Sequence, residues 1–546
     1  MSIFNSVSLR KPKFSTFSLS HDVKTTCNMG TLVPILCKEV LPGDRFRVNT
    51  ELLCRLAPMT APMMQRVDVY THFFFVPNRL LWDNWETFIT GGEDGKQAPV
   101  FPKIPAFSDK INSGTLADYL GFPTPTFGSN YAGAVVNALP FKAYHLIWNE
   151  YYRDQNLTEP FDIHPELDGM QSSAGNDWVN ELMSLRTRAW QKDYFTSALP
   201  WTQRGDDVVL PIGGSAPVSL NLTNPPIKRF SDVYGDSYAN GSASFGFVYS
   251  DSDGKIAIVD ENNHDIPKSL VTLVPNVSGT GTADLSDATA VTINELRRAN
   301  ALQRWLEKNA RGGSRYIEQI LSHFGVRVAD YRLQRPEFLG GGKSPVMISE
   351  VLQNSASDPA EDTKVTPQGN MAGHGVAATR NHAFTSKFYE HGFIIGIMSI
   401  LPKASYMNGL PRIFGKFDKF DYAFPEFANL GEQPIYNSEV WLDQSKNSLA
   451  PVGEASGVFG YTPRYAEYKY SESTVHGDFR NSLKFWHMAR NFDSAPALNE
   501  DFVTCNDPNL NRVFAVDNTS DHHFWIEIFH DIRAIRPLPK YGTPML

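Results

Sequence analysis

The stretch Asp44-Arg-Phe-Arg-Val-Asn-Thr-Glu-Leu-Leu-Cys-Arg-Leu56 decides the fold class. Phe46, Val48, Thr50, Leu52, Cys54 and Leu56 alternate with Arg45, Arg47, Asn49, Glu51 and Arg55, and only Leu53 interrupts. Successive side chains of a strand point to opposite faces, so a period of two kept this long predicts a strand with one buried and one polar face. Beyond the break at Pro58 and Pro62, Val67, Val69, Thr71, Phe73 and Phe75 repeat the pattern up to Pro77. The far end does the same. In Phe524-Trp-Ile-Glu-Ile-Phe-His-Asp-Ile-Arg-Ala-Ile535, the residues Phe524, Ile526, Ile528, Ile532 and Ala534 share one face. Residues 386–401 supply further strand, and the apolar run 393–401 is too short to cross a membrane, so it reads as a strand buried on both faces. Clear strands near both termini predict a sandwich closed by pairing its ends, with the middle of the chain inserted as loops.

Helical spacing occurs in that middle. Phe141, Tyr144, His145, Trp148, Tyr151 and Tyr152 follow Pro140, a residue suited to a first helical turn. Thr292-Ile-Asn-Glu295 is a capping box, and Leu296, Ala299, Leu302 and Leu306 continue from it to a stop at Gly312-Gly313. Tyr316, Ile317, Ile320, Leu321 and Phe324 form another set, ending at Gly325. Helical loop segments are therefore expected near 141–155 and 293–325. A chain of 546 residues suggests three or four domains at about 150 residues each, but β folds often run longer as one unit. The expected organisation is a basic N-terminal arm, 1–24, and one discontinuous β domain, 25–546, interrupted by an acidic surface insertion at 205–291.

Charge supports that division. The formal net charge is −9, which excludes a protein basic all over; any contact with nucleic acid must come from a local patch. Residues 205–291 hold 11 acidic against 4 basic side chains, a net of −7. This segment is rich in Gly, Ser, Asp, Asn and Thr, with short β-like runs at 245–249 and 256–259. It reads as a solvated surface excursion, a separately folded β-module being the alternative. The two ends are basic instead. Arg10, Lys11, Lys13 and Lys24 face only Asp22, with Phe4, Phe14 and Phe17 between them. The tail carries Arg533, Arg536 and Lys540 and no acid, and Pro537, Pro539 and Pro544 make it an extended strap. Cations neutralise phosphates and aromatic rings stack on unpaired bases, so these are candidate contacts to nucleic acid, an ordinary solvated tail being the plainer reading.

Catalytic and cofactor signals are sparse. Gly340-Gly-Gly-Lys-Ser344 resembles the end of a phosphate loop, but Glu337 stands where the first glycine belongs and Pro345 follows at once, so a flexible glycine turn is expected. There is no G-x-S-x-G or H-E-x-x-H motif. His522, His523 and His530, and the spaced set His374, His382 and His391, are read as structural; adjacent strand residues point to opposite faces and cannot share an ion. Cys27, Cys37, Cys54 and Cys505 lack zinc-ligand spacing and are too few for a disulfide scaffold, which fits reduced thiols in a cytosol. Residues 1–20 lack the apolar core of a signal peptide. No catalytic, metal or cofactor residue is assigned.

Several stretches together resemble the major capsid protein of the microviruses, small single-stranded-DNA bacteriophages, and specifically its gokushovirus branch. They are Lys24-Thr-Thr-Cys-Asn-Met-Gly-Thr-Leu-Val-Pro34, Glu39-Val-Leu-Pro-Gly-Asp44, Phe74-Phe-Val-Pro-Asn-Arg-Leu80 and Leu139-Pro-Phe-Lys-Ala-Tyr-His-Leu-Ile-Trp-Asn-Glu150 with Arg153-Asp154. Further on come Ala310-Arg-Gly-Gly-Ser-Arg-Tyr316, His323-Phe-Gly325, Leu333-Gln-Arg-Pro-Glu-Phe-Leu-Gly-Gly-Gly342, Gly373-His-Gly375 and His391-Gly392. The likeness runs from about residue 20 to the end, with 205–291 poorly matched.

The resemblance implies a mainly β fold, an eight-stranded antiparallel jelly-roll barrel or sandwich with long interstrand loops that contain a few helices. It implies self-assembly into a T = 1 icosahedral shell enclosing a circular single-stranded DNA genome. The ends then face the DNA through Arg10, Lys11, Lys13, Arg533, Arg536 and Lys540. The insertion becomes a threefold protrusion for host attachment, with Asp232, Tyr234, Asp236, Tyr238, Asp251 and Asp253 as candidates toward a host surface receptor. Implied partners are an internal scaffolding protein, a small basic DNA-binding protein and a DNA pilot protein, without membrane insertion, in a virion assembled in the bacterial cytoplasm. The competing reading is a β-rich phage protein that binds or degrades glycans. Its mark would be two carboxylates about 5–10 Å apart in an aromatic cleft.

Overall fold

The structure, a computed structural model, describes residues 12–105, 111–123, 134–170, 177–208, 245–250, 256–260, 293–355, 368–443, 451–516 and 521–541. The alternating segments become strands of two antiparallel sheets. In chain order these strands are β1 (Ser15–Ser18), β2 (His21–Cys27), β3 (Val33–Val40), β4 (Arg45–Leu56), β5 (Val67–Pro77), β6 (Glu337–Pro345), β7 (Met347–Leu352), β8 (Met371–Lys387), β9 (Gly392–Pro402) and β10 (Phe524–Arg536). A six-stranded sheet has the order β1-β10-β4-β8-β7, with β2 also paired to β10; a four-stranded sheet has the order β6-β5-β9-β3. The two ends of the chain do pair: β1, β2 and β4 all lie against β10. Residues 15–24, read in sequence as part of an arm, are thus edge strand. Their polar alternation is what a strand with one wet face displays.

The two sheets share one apolar core. Phe46, Val48 and Leu52 of β4 and Phe524, Ile528 and Ile532 of β10 meet Val33 of β3, Phe73 of β5 and Ile394 of β9 there. Each such fully buried side chain contributes roughly 1.5–3 kcal/mol. His530 completes the inward row of β10, fully buried among these apolar residues.

β9 is buried along its whole length and β5 nearly so, because the four-stranded sheet is covered on both sides. Phe74, Val76, Phe393, Ile395 and Ile397 point away from the sandwich into a second core. That core is capped by helix α1 (Leu139–Ile147), whose Phe141, Tyr144 and Ile147 are buried in it and which widens into a π turn at Trp148–Tyr152. The aromatic spacing read in sequence is therefore the underside of a third layer.

The glycine run 340–342 lies in β6, not in a turn, and is paired with β5 from Glu337↔Phe75 to Pro345↔Asp68. Its lack of side chains is steric. A Cβ on Gly340 would stand 2.2 Å from the Ala383 carbonyl oxygen of β8, and one on Gly342 2.1 Å from the Asn381 amide. The edge of one sheet closes against the other here, and Lys343 pairs with Asp68 at 2.9 Å.

The chain divides into two units, one of Met1–Asp206 with Arg304–Leu546 and one of Asp207–Gln303. In the second, strands Phe245–Ser250 and Ile256–Asp260 pair antiparallel, with Val248 opposite Ile258. Helices α2 (Ile293–Gly312) and α3 (Tyr316–Phe324) come next in the chain. Cys27, Cys54 and Cys505 are buried, Cys37 is half-buried, and all four are free thiols.

Candidate nucleic-acid interface

The outward face of the six-stranded sheet is built by the polar half of each alternating strand. Arg45 and Arg47 of β4 and Arg533 of β10 are exposed there. Lys387 of β8 joins them through a bulge. The pairing of β8 with β4 shifts register between His382 and Phe384, so that Ala383 and Phe384 are both buried and Thr385 and Lys387 turn outward. Without the extra residue, Lys387 would face the core.

Strand register then sets the cations side by side. Arg47 lies directly opposite Arg533 on one side and Thr385 on the other. Arg45 lies opposite Lys387 and Ile535. Like charges directly across a sheet cost about 0.2–1 kcal/mol per pair, and neither pair is relieved locally. Arg45, Arg47 and Arg533 have no ion-pair partner among the described residues, and Lys387 rests over the Tyr389 ring at 4.7 Å.

Elsewhere on the same face, several charges are neutralised. Arg380 meets Glu51 at 2.9 Å, Lys24 meets Glu527 at 3.7 Å, and Asp531 accepts hydrogen bonds from Asn49 and Ser20. The directly opposed cations lie at one end of the sheet; Arg55, exposed near the other end opposite Trp525, stands alone without an ion pair among the described residues. Ile535 borders the opposed cations, and Phe529 and Trp525 stand exposed farther along β10. Cations that hold phosphate beside flat apolar groups that stack on bases are the elements of a surface for single strands.

The sequence candidates are placed differently from one another. Arg533 is in the cluster, and Lys13 is exposed just ahead of β1, whose Ser15 pairs with Arg536. Arg536 is engaged structurally: its guanidinium lies 3.1 Å from the buried Asp44 carboxylate, donates to the Glu39 carbonyl and covers the Phe46 ring. Lys540 is exposed beyond the strand, beside the Tyr541 ring. Arg10, Lys11, Asp232, Tyr234, Asp236, Tyr238, Asp251 and Asp253 lie outside the described residues. Sequence reasoning misses Arg45, Arg47 and Lys387. The first two are visible as the polar half of the deciding strand, but the parity of Lys387 depends on the bulge.

Other chemistry-bearing groups are committed to structure. No group of three His, Cys, Asp or Glu side chains placed to hold a metal occurs among the described residues, and none of the described helices is long and apolar enough to span a membrane. His530 donates from Nε2 to the Ile35 carbonyl at 3.1 Å, which leaves Nδ1 to accept from the Thr50 hydroxyl at 3.2 Å. Burial, with help from His21 and Lys38, holds its pKa down to about 4. A group of carboxylates comprises Asp193, Glu439 and Glu472, with Glu472 raised to about 7 by burial and by the other two. The cavity beside Glu439 is only about 30 Å³, room for a water and not for a sugar ring. A larger open groove, about 760 Å³, runs between the edges of β2 and β3, with the Lys24–Glu527 pair in its wall.

Two face-packed antiparallel sheets with a wide set of covering loops define a mainly β protein. The chain belongs to the phage capsid-protein family described as "Capsid protein (F protein)", whose model matches residues 6–546. It is 39% identical to capsid protein VP1 of Chlamydia phage 1, over 100% of this chain and 97% of that one. It is 36% identical to capsid protein VP1 of Bdellovibrio phage phiMH2K and 32% to that of Spiroplasma virus 4, each over 97% of this chain and 95% of the relative. The resemblance seen in the sequence motifs is therefore correct: this is the capsid protein of a small phage virion of the microvirus type, a protein that works by associating with copies of itself.

Proposed function

We propose that the chain closes into a T = 1 icosahedral shell around a circular single-stranded DNA genome, with the outer face of the six-stranded sheet turned toward the DNA. The observation that carries this reading is the set of opposed, unpaired cations Arg45–Lys387 and Arg47–Arg533, held at a cost that a phosphate backbone offsets. Lys13 extends the patch, and Arg10 and Lys11 precede it in the chain. The eight strands β2 to β6 and β8 to β10 form a jelly roll in this reading. What supports it is the interleaved order β2-β10-β4-β8 and β3-β9-β5-β6, in which each sheet mixes strands from the two ends of the chain.

The acidic insertion, 205–291, faces outward and binds the host surface, since its net charge of −7 is unsuited to the DNA side. A scaffolding protein, a small basic DNA-binding protein and a pilot protein occupy the interior during assembly in the host cytoplasm. The protein acts as structure, not as an enzyme.

The test is charge reversal. R47E/R533E should lower DNA per particle several-fold while closed particles still form, seen by electron microscopy and by the ratio of absorbance at 260 and 280 nm. Unchanged DNA content would remove the assignment of this face. Deleting 205–291 should leave particles that adsorb poorly to cells; loss of folding would refute the surface-insertion reading.

A further inference from the structure

We propose that two apolar surfaces outside the sandwich, the aromatic segment 412–430 and the helix α3 with its following turn, are the two halves of one contact between neighbouring copies of this chain. The inference rests on the shell-forming reading above and names the surfaces that would carry it.

The segment 412–430 exposes side chains that a monomer has no reason to expose. Ile413, Phe414, Phe417, Phe420, Tyr422, Phe424 and Leu430 are all exposed, Phe417 to 82%. At about 200 Å² per large side chain, they present roughly 800 Å² of apolar surface. The largest patch on a typical monomer is about 300–600 Å², and about 800 Å² is what one partner contributes to a standard interface. The segment is also held in shape. The Asp421 carboxylate accepts hydrogen bonds from the amides of Phe417 and Asp418, both at 2.8 Å, and the Phe427 ring sits 6.0 Å from Phe420 and 6.2 Å from Phe424. Aromatic groups fixed before binding lose little freedom on binding, the property of an anchor.

Helix α3 supplies a surface of the opposite form. Its apolar positions Tyr316, Ile317, Ile320, Leu321 and Phe324 recur at helical spacing, yet none of its nine residues is buried. Phe324 is 78% exposed, and Val326 and Tyr331 extend the stripe. An amphipathic helix gains its stability from covering its apolar face, and in the single chain Ile317 and Ile320 are half-covered while Tyr316, Leu321 and Phe324 stand uncovered.

A second copy is the occupant that fits both. Closed shells are made by heterologous contacts, in which one patch of a subunit meets a different patch of the next. The exposed charges are opposite in sign: Asp418, Asp421 and Glu426 against the single Lys419 beside the aromatic segment, and Arg327 and Arg332 beside the helix. Opposite charges at a rim steer and register an apolar contact.

The experiment uses the full chain produced together with the scaffolding protein of the reading above, followed by sedimentation and electron microscopy. F414S/F417S and, separately, F324S remove only exposed rings, so circular dichroism and melting temperature of the free subunit should match wild type. Each should lower the yield of closed particles roughly tenfold or more, the effect of removing one anchor from every interface. E426R alone and R327E/R332E alone should each weaken assembly, and all three changes in one chain should restore it, which a misfolded variant could not do. Wild-type yield from F414S/F417S or F324S overturns the inference while leaving the shell reading intact. Weakening by both charge variants without restoration overturns the pairing of these two surfaces. Failure of the wild-type protein itself to form closed particles overturns the shell reading beneath it.

Discussion

His530 ties the two sheets together, and its replacement by leucine should have an effect that changes with pH. At neutral pH, H530L removes the donor to the Ile35 carbonyl of β3 and the acceptor for the Thr50 hydroxyl of β4, both in fully enclosed surroundings. Two buried polar groups left without partners cost about 1–3 kcal/mol each, offset in part by the apolar side chain that replaces imidazole. The expected loss at pH 7.5 is about 3 kcal/mol.

Acid reverses the comparison. The folded-state pKa near 4 lies below the value near 6.5 for an unfolded chain, so between these limits the unfolded state binds the extra proton. The wild-type stability from this residue is fully present above pH 6.5 and is lost at about 1.4 kcal/mol per pH unit as pH falls toward 4. By pH 4 the integrated loss is about 3 kcal/mol, and leucine suffers none of it. The gap between the two proteins should therefore close from about 3 kcal/mol at pH 7.5 to near zero at pH 4. His145, buried, and His72, half-buried, are held near 3 and 4 and add the same acid slope to both proteins, which cancels in the difference. Urea unfolding of dissociated subunits at four pH values, followed by circular dichroism, measures the gap. A gap independent of pH would mean that His530 does not enter the unfolded state as a new proton acceptor, and the assignment of a neutral bridging imidazole would fall.

Three further outcomes follow from the geometry. G340A places a Cβ 2.2 Å from the Ala383 carbonyl in a backbone conformation with φ of 153°, and should cost roughly 2–4 kcal/mol by urea unfolding; a neutral result would mean that the sheets do not close there. F73A empties a fully buried site between the sheets and should cost about 3–5 kcal/mol, with a correspondingly lower melting temperature. Binding of a fluorescent single-stranded oligonucleotide should weaken as salt rises, and R47A/R533A should lower the slope of log K against log salt by about 1.4, at roughly 0.7 for each phosphate no longer neutralised. An unaltered slope would place the phosphates elsewhere.

The strands legible in the sequence are those whose burial is simple. β4 and β10 each have one wet face, so their period of two shows through the breaks at Leu53, Trp525, Phe529 and Ile535, and β9 is nearly all apolar because both faces are covered. β6 and β8 are hidden in the sequence for different reasons. The glycines of β6 are a steric requirement of a partner strand far away in sequence, and from the chain alone the same residues read as a turn. β8 uses Gly373, Gly375, Ala377 and Ala383 as its inward residues, small groups that carry little hydrophobic signal, and its bulge then reverses parity. Residues 15–24 read as arm because an edge strand has a partner on one side only and needs little apolar content.

The cationic site is half legible for a related reason. Charge is counted along a chain, but potential is made in space. Arg45 and Arg47 stand in plain view as the polar half of the strand that decides the fold, and in sequence they show only that its outer face is wet. What makes them a site is the arrival of Arg533 from the far terminus and of Lys387 from β8, placed by pairings that span more than 300 residues. Arg536 shows the converse. It belongs to the basic tail by composition, yet Asp44 neutralises it, and it contributes more to the closure of the sandwich than to any outer field. A net charge of −9 therefore says little about whether this chain can lie against DNA. The deciding quantity is how many cations a single face leaves unpaired, and strand register sets that number.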